Sequence, residues 1–137
     1  MADFLKAMRL AGQAMRAQAG RMRIVSENIA NADSTPQAPG ETPYRRKIPT
    51  FERRFDAELG GDGLALGRVR GDAAAFRTRY EPGHPAADAA GMVRLPNVEP
   101  LVEQMDMREA QRSYEANVGA FSITRRMIAR TLDILRT

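Results

Sequence analysis

The sequence of 137 residues contains no cysteine, no tryptophan and a single histidine. The lack of cysteine excludes a disulfide scaffold, a thiolate metal site and a cysteine nucleophile, and one histidine excludes a multi-histidine zinc site. Aromatic residues make up only 6% of the chain, so large rings add little to any core. Eight methionines, with many alanines and leucines, supply the apolar content instead.

Common catalytic and cofactor motifs are also missing. The sequence has no GxxxxGK[ST] loop, no GxGxxG and no HExxH. His84 stands between Gly83 and Pro85 in a turn, where a lone histidine is more often a surface or packing residue than a ligand. Carboxylates one helical turn apart, such as Glu99 and Glu103, are typical of solvated or ion-paired helix surface. We therefore predict no enzyme, no catalytic residue, no cofactor, no metal and no small-molecule substrate.

The chain is basic, but its bases are not densely clustered. Arginine supplies all but two of the 21 basic residues, and the net charge of +4 corresponds to a pI near 10.1. The excess lies mainly in residues 1–31, with five basic and two acidic side chains. A basic helix can bind nucleic acid or an anionic membrane. Because acids are interspersed and aromatic residues are few, we expect a solvated or partner-facing helix and no nucleic-acid partner.

The sequence shows neither a targeting segment nor a membrane span. Met1 to Arg23 mixes basic residues among its apolar ones, so it lacks the run of about 7–15 apolar residues found in a secretory signal. No stretch approaches the ~20 apolar residues that cross a bilayer. Composition alone therefore predicts a soluble intracellular protein.

The N-terminal segment, 1–31, has the period of an α-helix. An unbroken 3-4 spacing of apolar and small residues gives the a/d pattern of a coiled-coil seam. Its positions are Leu5, Met8, Gly12, Met15, Ala19, Met22, Ser26 and Ile29. The turn-forming residues 33–35 precede Pro36, so the helix should end near Asn31.

The C-terminal segment, 97–137, is predicted to form a second long helix. Asn97 is a plausible N-cap, and Pro100 suits the first turn, where no amide donor is needed. One 3-4 stripe comprises Met107, Ala110, Tyr114, Asn117, Phe121, Thr124, Ile128, Thr131 and Leu135. A second comprises Val118, Phe121, Arg125, Ile128, Leu132 and Leu135, with Ile123, Met127 and Ile134 to one side. This apolar surface is wider than one partner helix covers, which indicates further partners.

The intervening segment, 32–96, contains most of the prolines and glycines. Phe76 to Tyr80 alternates apolar and polar residues like a strand, Glu81 to Pro85 ends it, and 86–91 is predicted to be a turn. The fold of loop 36–43 and of region 57–75 stays open. The predicted fold is therefore mainly α with a small β insert, in which the terminal helices pair as a coiled-coil-like bundle around a loop-rich β region. Such a pair buries little core alone, so the chain should be partly disordered in isolation or buried in a larger assembly.

Three asparagines occupy helical positions where an amide is unusual. Asn28 and Asn31 share a face at the end of the first helix, and Asn117 lies in the seam of the second. A polar amide in a seam can determine register and partner choice. The alternatives are a helix C-cap for Asn31 and a plain surface position for Asn28.

Ser26 to Thr35 has the sequence SENIANADST. It resembles the S-x-N-(I/L)-A-N signature near the N-terminus of bacterial flagellar axial proteins. The Pro-Tyr-Arg-Arg-Lys block 43–47, the block 80–88 around Pro-Gly-His-Pro, and Ser-Tyr-Glu-Ala-Asn-Val at 113–118 narrow the resemblance to the proximal rod proteins of the basal body. The similarity covers nearly the whole chain in order, although loop 37–41 departs from it and region 57–75 matches only loosely.

This resemblance implies a structural role in bacterial motility. Such proteins polymerise into the hollow, torque-transmitting rod of the flagellar basal body, which spans the periplasm, and they leave the cell by flagellar type III export without a cleaved signal peptide. The implied partners are copies of the chain, other flagellar rod proteins, the inner-membrane ring or adaptor, and the export apparatus.

We expect the two apolar stripes to meet as a helix pair and their remaining surface to contact neighbouring subunits. The predicted assembly residues are Leu5, Met8, Met15, Met22, Asn28, Ile29, Asn31, Met107, Tyr114, Asn117, Val118, Phe121, Ile128, Leu132 and Leu135. The alternative function is a cytoplasmic coiled-coil adaptor that binds one helical partner and is well folded in isolation.

Overall fold

The computed structural model describes residues 1–136 and contains two long helices separated by short strands. Helix α1 spans Ala2–Ala30 and helix α2 spans Pro100–Leu135. The strands are β1 Lys47–Ile48, β2 Phe51–Asp56, β3 Gly61–Leu66, β4 Arg70–Gly71, β5 Arg77–Tyr80 and β6 Met92–Leu95. The predicted fold class, mainly α with a small β insert, is confirmed. Within residues 1–136, neither helix has a stretch that is long and apolar enough to cross a membrane.

The strands form three antiparallel pairs: β1 with β4, β2 with β3, and β5 with β6. The predicted strand at 76–80 is observed as β5, and the predicted turn lies between β5 and β6. Asp88 Oδ1 closes that turn by accepting the N–H groups of Ala90 and Met92, each at 2.9 Å. Region 57–75, which sequence left open, supplies β3 and β4.

The chain divides into two compact units, each built from separate stretches of sequence. The first unit comprises Met1–Met22, Pro49–Arg68 and the chain from Arg108 onward. The second comprises Arg23–Ile48 and Val69–Met107. Each helix therefore contributes residues to both units.

In the first unit, the hairpin of β2 and β3 packs on α1. Gln13 is central to this contact, because its Nε2 donates to Asp56 Oδ2 at 2.6 Å and its Oε1 accepts the N–H of Leu64 at 3.1 Å. Further along α1, a Cβ on Gly20 would lie only 2.7 Å from Leu66 Cδ2. The absence of a side chain at Gly20 therefore allows the hairpin to approach the helix closely.

The two helices run antiparallel within the first unit. Arg21 Nη2 on α1 lies 3.7 Å from Glu109 Oε2 on α2. Earlier on α1, Met8 and Gly12 line one groove together with Phe121, which is further along α2. The order of these contacts along the two helices gives the antiparallel direction.

The covered face of α1 and the predicted seam share every second position and differ at the positions between them. Five predicted positions are half-buried: Met8, Gly12, Met15, Met22 and Ile29. Three others are exposed: Leu5, Ala19 and Ser26. The covered positions that alternate with the methionines are instead Phe4, Ala11, Gln18 and Val25. Both series keep the 3-4 spacing, so the prediction was wrong at a point where periodicity alone cannot choose between them.

The predicted stripe on α2 is confirmed as the covered face of that helix for all but its last residue. Its buried or half-buried members are Met107, Ala110, Tyr114, Asn117, Phe121, Thr124, Ile128 and Thr131. Leu135, at the end of the stripe, is 74% exposed.

The two units differ in what they bury. The fully covered apolar residues of the second unit are Ile24, Val25, Ala32, Ala86, Val93, Leu95 and Val98. Among the described residues of the first unit, the corresponding set is Ala11, Ala17 and Ala110. The second unit therefore has a core of branched side chains, whereas the first leaves its larger apolar side chains at least partly open to solvent.

Gly91, just before β6, adopts a conformation that other residues avoid. Its φ is +78°, and a Cβ there would lie 2.8 Å from Tyr80 Cε2 and 3.1 Å from Pro82 Cβ. We expect Gly91→Ala to lower the free energy of unfolding by about 1–3 kcal/mol, measured by urea denaturation.

Gly119 provides the matched control, since it lies inside α2 and a Cβ added there would meet no atom within 4 Å. Gly119→Ala should raise the free energy of unfolding by about 0.5–1 kcal/mol, because alanine costs less backbone entropy in a helix. Loss of stability in both variants, to the same extent, would contradict the steric explanation for Gly91.

Candidate assembly surface

Asn28 is fully buried in the second unit, and its side chain uses its full hydrogen-bonding capacity. Its Nδ2 donates to the carbonyl of Lys47 at 2.8 Å and to Glu103 Oε2 at 3.2 Å. Its Oδ1 accepts the N–H of Lys47 at 2.9 Å and the hydroxyl of Tyr44 at 2.8 Å. By bonding both backbone groups of Lys47, the amide acts as a neighbouring strand would.

Glu103, on the first turn of α2, is also fully buried. Its carboxylate forms an ion pair with Arg46 Nε, and Arg46 Nη1 lies 3.4 Å from Asp72 Oδ2. Burial alone would lower the pKa of Arg46, but the hydrogen bonds and charges of Glu103 and Asp72 outweigh it and raise that pKa above its usual value. A buried carboxylate is tolerated only when it is paired in this way. Glu103 is therefore ion-paired, which was one of the two expectations, but it is buried and does not lie on the helix surface, whereas Glu99 is exposed.

Asn97 joins two loops in the second unit and is not the N-cap of α2. Its Oδ1 accepts the N–H of Arg46 at 2.7 Å, and its Nδ2 donates to the carbonyls of Asp72 and Ala74 at 3.1 and 3.0 Å. The helix begins at Pro100, two residues too late for Asn97 to cap it. We refer to the set Asn28, Tyr44, Arg46, Asp72, Asn97 and Glu103 as the polar clasp.

The outer surface of α2 carries the exposed apolar side chains that the sequence indicated. Two residues of the second predicted stripe, Val118 and Leu132, are exposed in addition to Leu135. Ile123 and Met127, on the other side, are exposed as well. The chain thus leaves a long apolar surface of α2 uncovered, which is unusual for a protein that acts alone.

Two family models match the chain, and both describe flagellar rod proteins. The model described as "Flagella basal body rod protein" matches residues 8–38, and the one described as "Flagellar basal body rod FlgEFG protein C-terminal" matches residues 89–134. The flagellar basal-body rod protein FlgC of Agrobacterium fabrum is 47% identical over 95% of this chain and 94% of its own length. The chain belongs to the FlgC family. The FlgC proteins of Aquifex aeolicus and Bacillus subtilis are 39% and 37% identical over 97% and 93% of the chain.

The family models match the two helices and their nearest neighbours in sequence. Residues 8–38 cover most of α1 and the turn that follows it, and residues 89–134 cover β6 and nearly all of α2. Membership of the FlgC family confirms the resemblance to flagellar rod proteins that the sequence motifs indicated.

The structure uses the three predicted asparagines within the chain. Asn28 is occupied by the polar clasp, so its side chain is not available to a neighbour. Asn31 directly follows the last residue of α1, and its Nδ2 donates to the carbonyl of Glu27 at 2.9 Å. It therefore bonds a carbonyl at the C-terminal end of the helix. Asn117 Nδ2 donates to the carbonyl of Ser113 at 2.7 Å in its own helix.

The other predicted assembly residues fall into two groups. Half-buried are Met8, Met15, Met22, Ile29, Met107, Tyr114, Phe121 and Ile128. Exposed are Leu5, Val118, Leu132 and Leu135. The exposed group is available to a neighbouring subunit, and its role in assembly stays a prediction.

His84 packs within its turn, as expected for a lone turn histidine. Its Nδ1 accepts the N–H of Ala86 at 3.0 Å, and its Nε2 lies 3.1 Å from Thr35 Oγ1. In the part of the chain from 1 to 136, His, Asp and Glu side chains do not gather in threes that could hold a metal ion.

The sequence pointed to Asn28, Asn97 and Glu103 in other roles, but it did not indicate that they meet Tyr44, Arg46 and Asp72 in one network. Tyr44 and Arg46 were noted only as part of the Pro-Tyr-Arg-Arg-Lys block that carries the family resemblance. The sequence signal that could have indicated the network is the run of hydrogen-bonding side chains that follows Pro43. In the structure Pro43 is buried.

The buried ion pair of the clasp can be tested at Glu103. Glu103→Gln keeps the shape of the side chain but removes the charge that pairs with Arg46. We expect the free energy of unfolding in urea to fall by about 2–4 kcal/mol, because the guanidinium is left partly buried with only Asp72 nearby.

The matched control is Glu109→Gln on the same helix. Glu109 is 72% exposed and lies 3.7 Å from Arg21, so its loss should change the free energy of unfolding by no more than about 0.5 kcal/mol. A similarly small change in Glu103→Gln would show that the buried pair does not stabilise the second unit.

Because of Tyr44, we expect the free energy of unfolding to fall as the pH becomes alkaline. Burial, then the charges of Glu27 and Glu103, raise the pKa of Tyr44 from 10.0 to about 12. The folded chain therefore keeps a phenol proton that the unfolded chain releases. The resulting stabilisation is complete below pH 10 and is lost as the pH rises from 10 through 12.

Tyr44→Phe should remove this part of the pH dependence, measured as the free energy of unfolding across that alkaline range together with tyrosinate absorbance. Tyr80→Phe is the control, since Tyr80 is exposed and lies outside the clasp. If Tyr80→Phe and Tyr44→Phe altered the alkaline profile equally, the assignment to Tyr44 would be wrong.

Proposed function

We propose that this chain is a structural subunit of the flagellar basal-body rod. The observation that carries the proposal is the identity of 47% with a FlgC rod protein over 95% of the chain. A family of rod proteins implies a structural rather than an enzymatic role. The comparisons give no support to the alternative, a cytoplasmic coiled-coil adaptor.

The subunit polymerises through its terminal helices with copies of itself and with other rod proteins. The exposed apolar side chains of the first unit support this, because the buried apolar residues among those described in that unit are the alanines Ala11, Ala17 and Ala110. A neighbour that covers this apolar surface removes it from water, which favours assembly.

The finer parts of the proposal come from the resemblance to proximal rod proteins. They are a hollow, torque-transmitting tube that spans the periplasm, export by the flagellar type III apparatus without a cleaved signal peptide, and contact with the inner-membrane ring or adaptor. The polar clasp is consistent with assembly through α2. It holds the start of that helix in place and leaves Val118, Leu132 and Leu135 exposed.

Fractionation of basal bodies from cells that carry a tagged chain tests the proposal. We expect the wild-type chain in the purified rod fraction. Leu132→Asp should lower its recovery there, and swimming, by at least about tenfold, because a buried charge is costly at an interface. Leu132 is 46% exposed, so the purified variant should keep the helicity of the wild type.

Leu132→Met is the matched control, because it preserves volume and apolar character and should assemble normally. A wild-type chain found only in the cytosol of a flagellated cell would refute the function. Normal recovery of Leu132→Asp would show that this part of α2 lies outside the assembly contacts.

A further inference from the structure

Helix α1 covers one edge of the hairpin formed by β2 and β3. On the side of β3, the N–H of Leu64 donates to Gln13 Oε1 at 3.1 Å, and Leu66 packs against Gly20. A further strand can therefore pair only with β2. A two-stranded hairpin is marginally stable by itself, so a third strand stabilises it.

The hydrogen bonds of the hairpin show which backbone groups of β2 point outward. In an antiparallel pair, residues alternate between bonding the partner strand and pointing away from it. The N–H of Gly67 donates to the carbonyl of Thr50 at 2.6 Å, so the even-numbered residues of β2 bond β3. Leu64, opposite Arg53, agrees with this, because its N–H bonds Gln13 and not Arg53. The residues whose N–H and C=O groups point outward are Phe51, Arg53 and Phe55.

These outward groups and their side chains are uncovered in the described chain. Between residues 1 and 136, no hydrogen bond reaches the backbone of the three residues from outside the hairpin. Phe51 and Phe55 are 42% and 69% exposed, and the side chain of Arg53 is 86% exposed. Alternate residues of a strand share a face, so the two rings flank the guanidinium. We call Phe51, Arg53 and Phe55 the open edge.

The open edge has few of the features that usually block such an edge. Strand β2 contains no proline, and it pairs residue for residue with β3, so no bulge interrupts it. Its charges Glu52 and Arg54 pair with each other at 2.6 Å on the opposite face. The charge of Arg53 remains available to a partner, since it reaches Asp62 only at 4.0 Å.

We propose that the open edge binds an extended segment of another protein as a third strand. Main-chain hydrogen bonds supply the affinity, and alternate side chains supply the selectivity. The segment that fits has an acidic side chain opposite Arg53 and an apolar side chain opposite each phenylalanine. The proposal rests on the proposed function only in placing that protein in the rod.

A second copy of the chain offers no matching strand. Two β2 strands that pair antiparallel through all three residues of the open edge place Arg53 on Arg53, and like charges opposite each other are destabilising. Among the other strands of the described chain only β3 contains an acidic residue, Asp62, and α1 covers the edge of β3. The bound segment therefore belongs to a different protein.

A synthetic peptide tests the binding outside cells. Blocked Ser-Val-Thr-Glu-Thr-Val-Ser should shift the amide NMR signals of the open edge, because its glutamate meets Arg53 and its valines meet the two rings. N-methylation of the glutamate and both valines removes the donors that face β2 and should abolish the shifts. N-methylation of the two threonines is the matched control, since their N–H groups face away from β2. Absence of shifts with the unmodified peptide at millimolar concentration, or equal loss with both methylated peptides, overturns the proposal.

Two substitutions at Arg53 test the same contact in cells. Arg53→Pro removes the outward N–H but no bond to β3, since the N–H of Arg53 takes no part in the ladder. We expect it to lower recovery of the chain in basal bodies by at least about tenfold. Arg53→Ala keeps the N–H and should lower recovery by no more than about threefold, because an exposed charge pair contributes little. Equal recovery of the two variants would contradict pairing through the backbone.

Charge reversal tests the acidic character of the partner. Arg53→Glu brings two acids together and should lower recovery by at least about tenfold, whereas Arg53→Lys should assemble normally. Recovery of Arg53→Glu equal to that of Arg53→Ala overturns the acidic partner. The amide signals of Gly63 and Leu64 show whether the hairpin is intact in each variant, and where Arg53→Pro disturbs them the peptide measurement decides.

Arg53→Cys tests for a second copy at the open edge, because the chain has no native cysteine. We expect no disulfide-linked dimer of this variant in basal bodies, and its formation would overturn the proposal. Absence of the wild-type chain from basal bodies is a different result, since it refutes the proposed function itself. The peptide measurement then decides this proposal independently.

Discussion

The side-chain amide of Asn28 is the contact on which the arrangement of the second unit depends. It bonds both backbone groups of Lys47, so the end of α1 is joined to the chain that enters β1 as if the two were paired strands. The same amide donates to Glu103 on the first turn of α2. One residue thus connects both helices and the strand region, and no residue type other than asparagine or glutamine offers paired donor and acceptor groups of this kind.

The other residues of the polar clasp compensate the free energy cost of burying the polar groups of Asn28 and Glu103. Glu103 is fully covered, and an unpaired carboxylate would be strongly unfavourable there. Arg46 supplies the opposite charge, and Asp72 with Asn97 positions the loop that carries Arg46. A paired network of this kind favours one arrangement of its elements, because each alternative leaves a buried polar group without a partner.

The two units differ in the apolar side chains that they bury. The second unit combines the clasp with a core of branched residues such as Val25, Val93 and Val98. The first unit buries alanines and leaves larger side chains such as Phe55 and Leu132 exposed. Apolar surface that a chain does not cover itself is available to neighbours, which is why we propose assembly through this unit.

The two helices, the strand β5 and the family could be predicted from the amino-acid sequence. Helical periodicity with the turn residues before Pro36 located α1, and the wide apolar pattern of the C-terminal segment located α2 and its excess of apolar surface. The motif around Asn28 indicated a flagellar rod protein, and the comparisons confirmed it. These features are local, because each depends on residues that are close in the chain.

The covered face of α1, unlike that of α2, could not be predicted from the sequence. Two series on α1 keep the same 3-4 spacing, and the burial of Val25 rather than Ser26 follows from contacts with residues distant in sequence. The clasp has the same origin, since Asn28 and Glu103 are 75 positions apart. A sequence pattern records which residues can be buried together on one face. Which of them are buried depends on the free energy of long-range contacts, and that is defined only when the chain is folded.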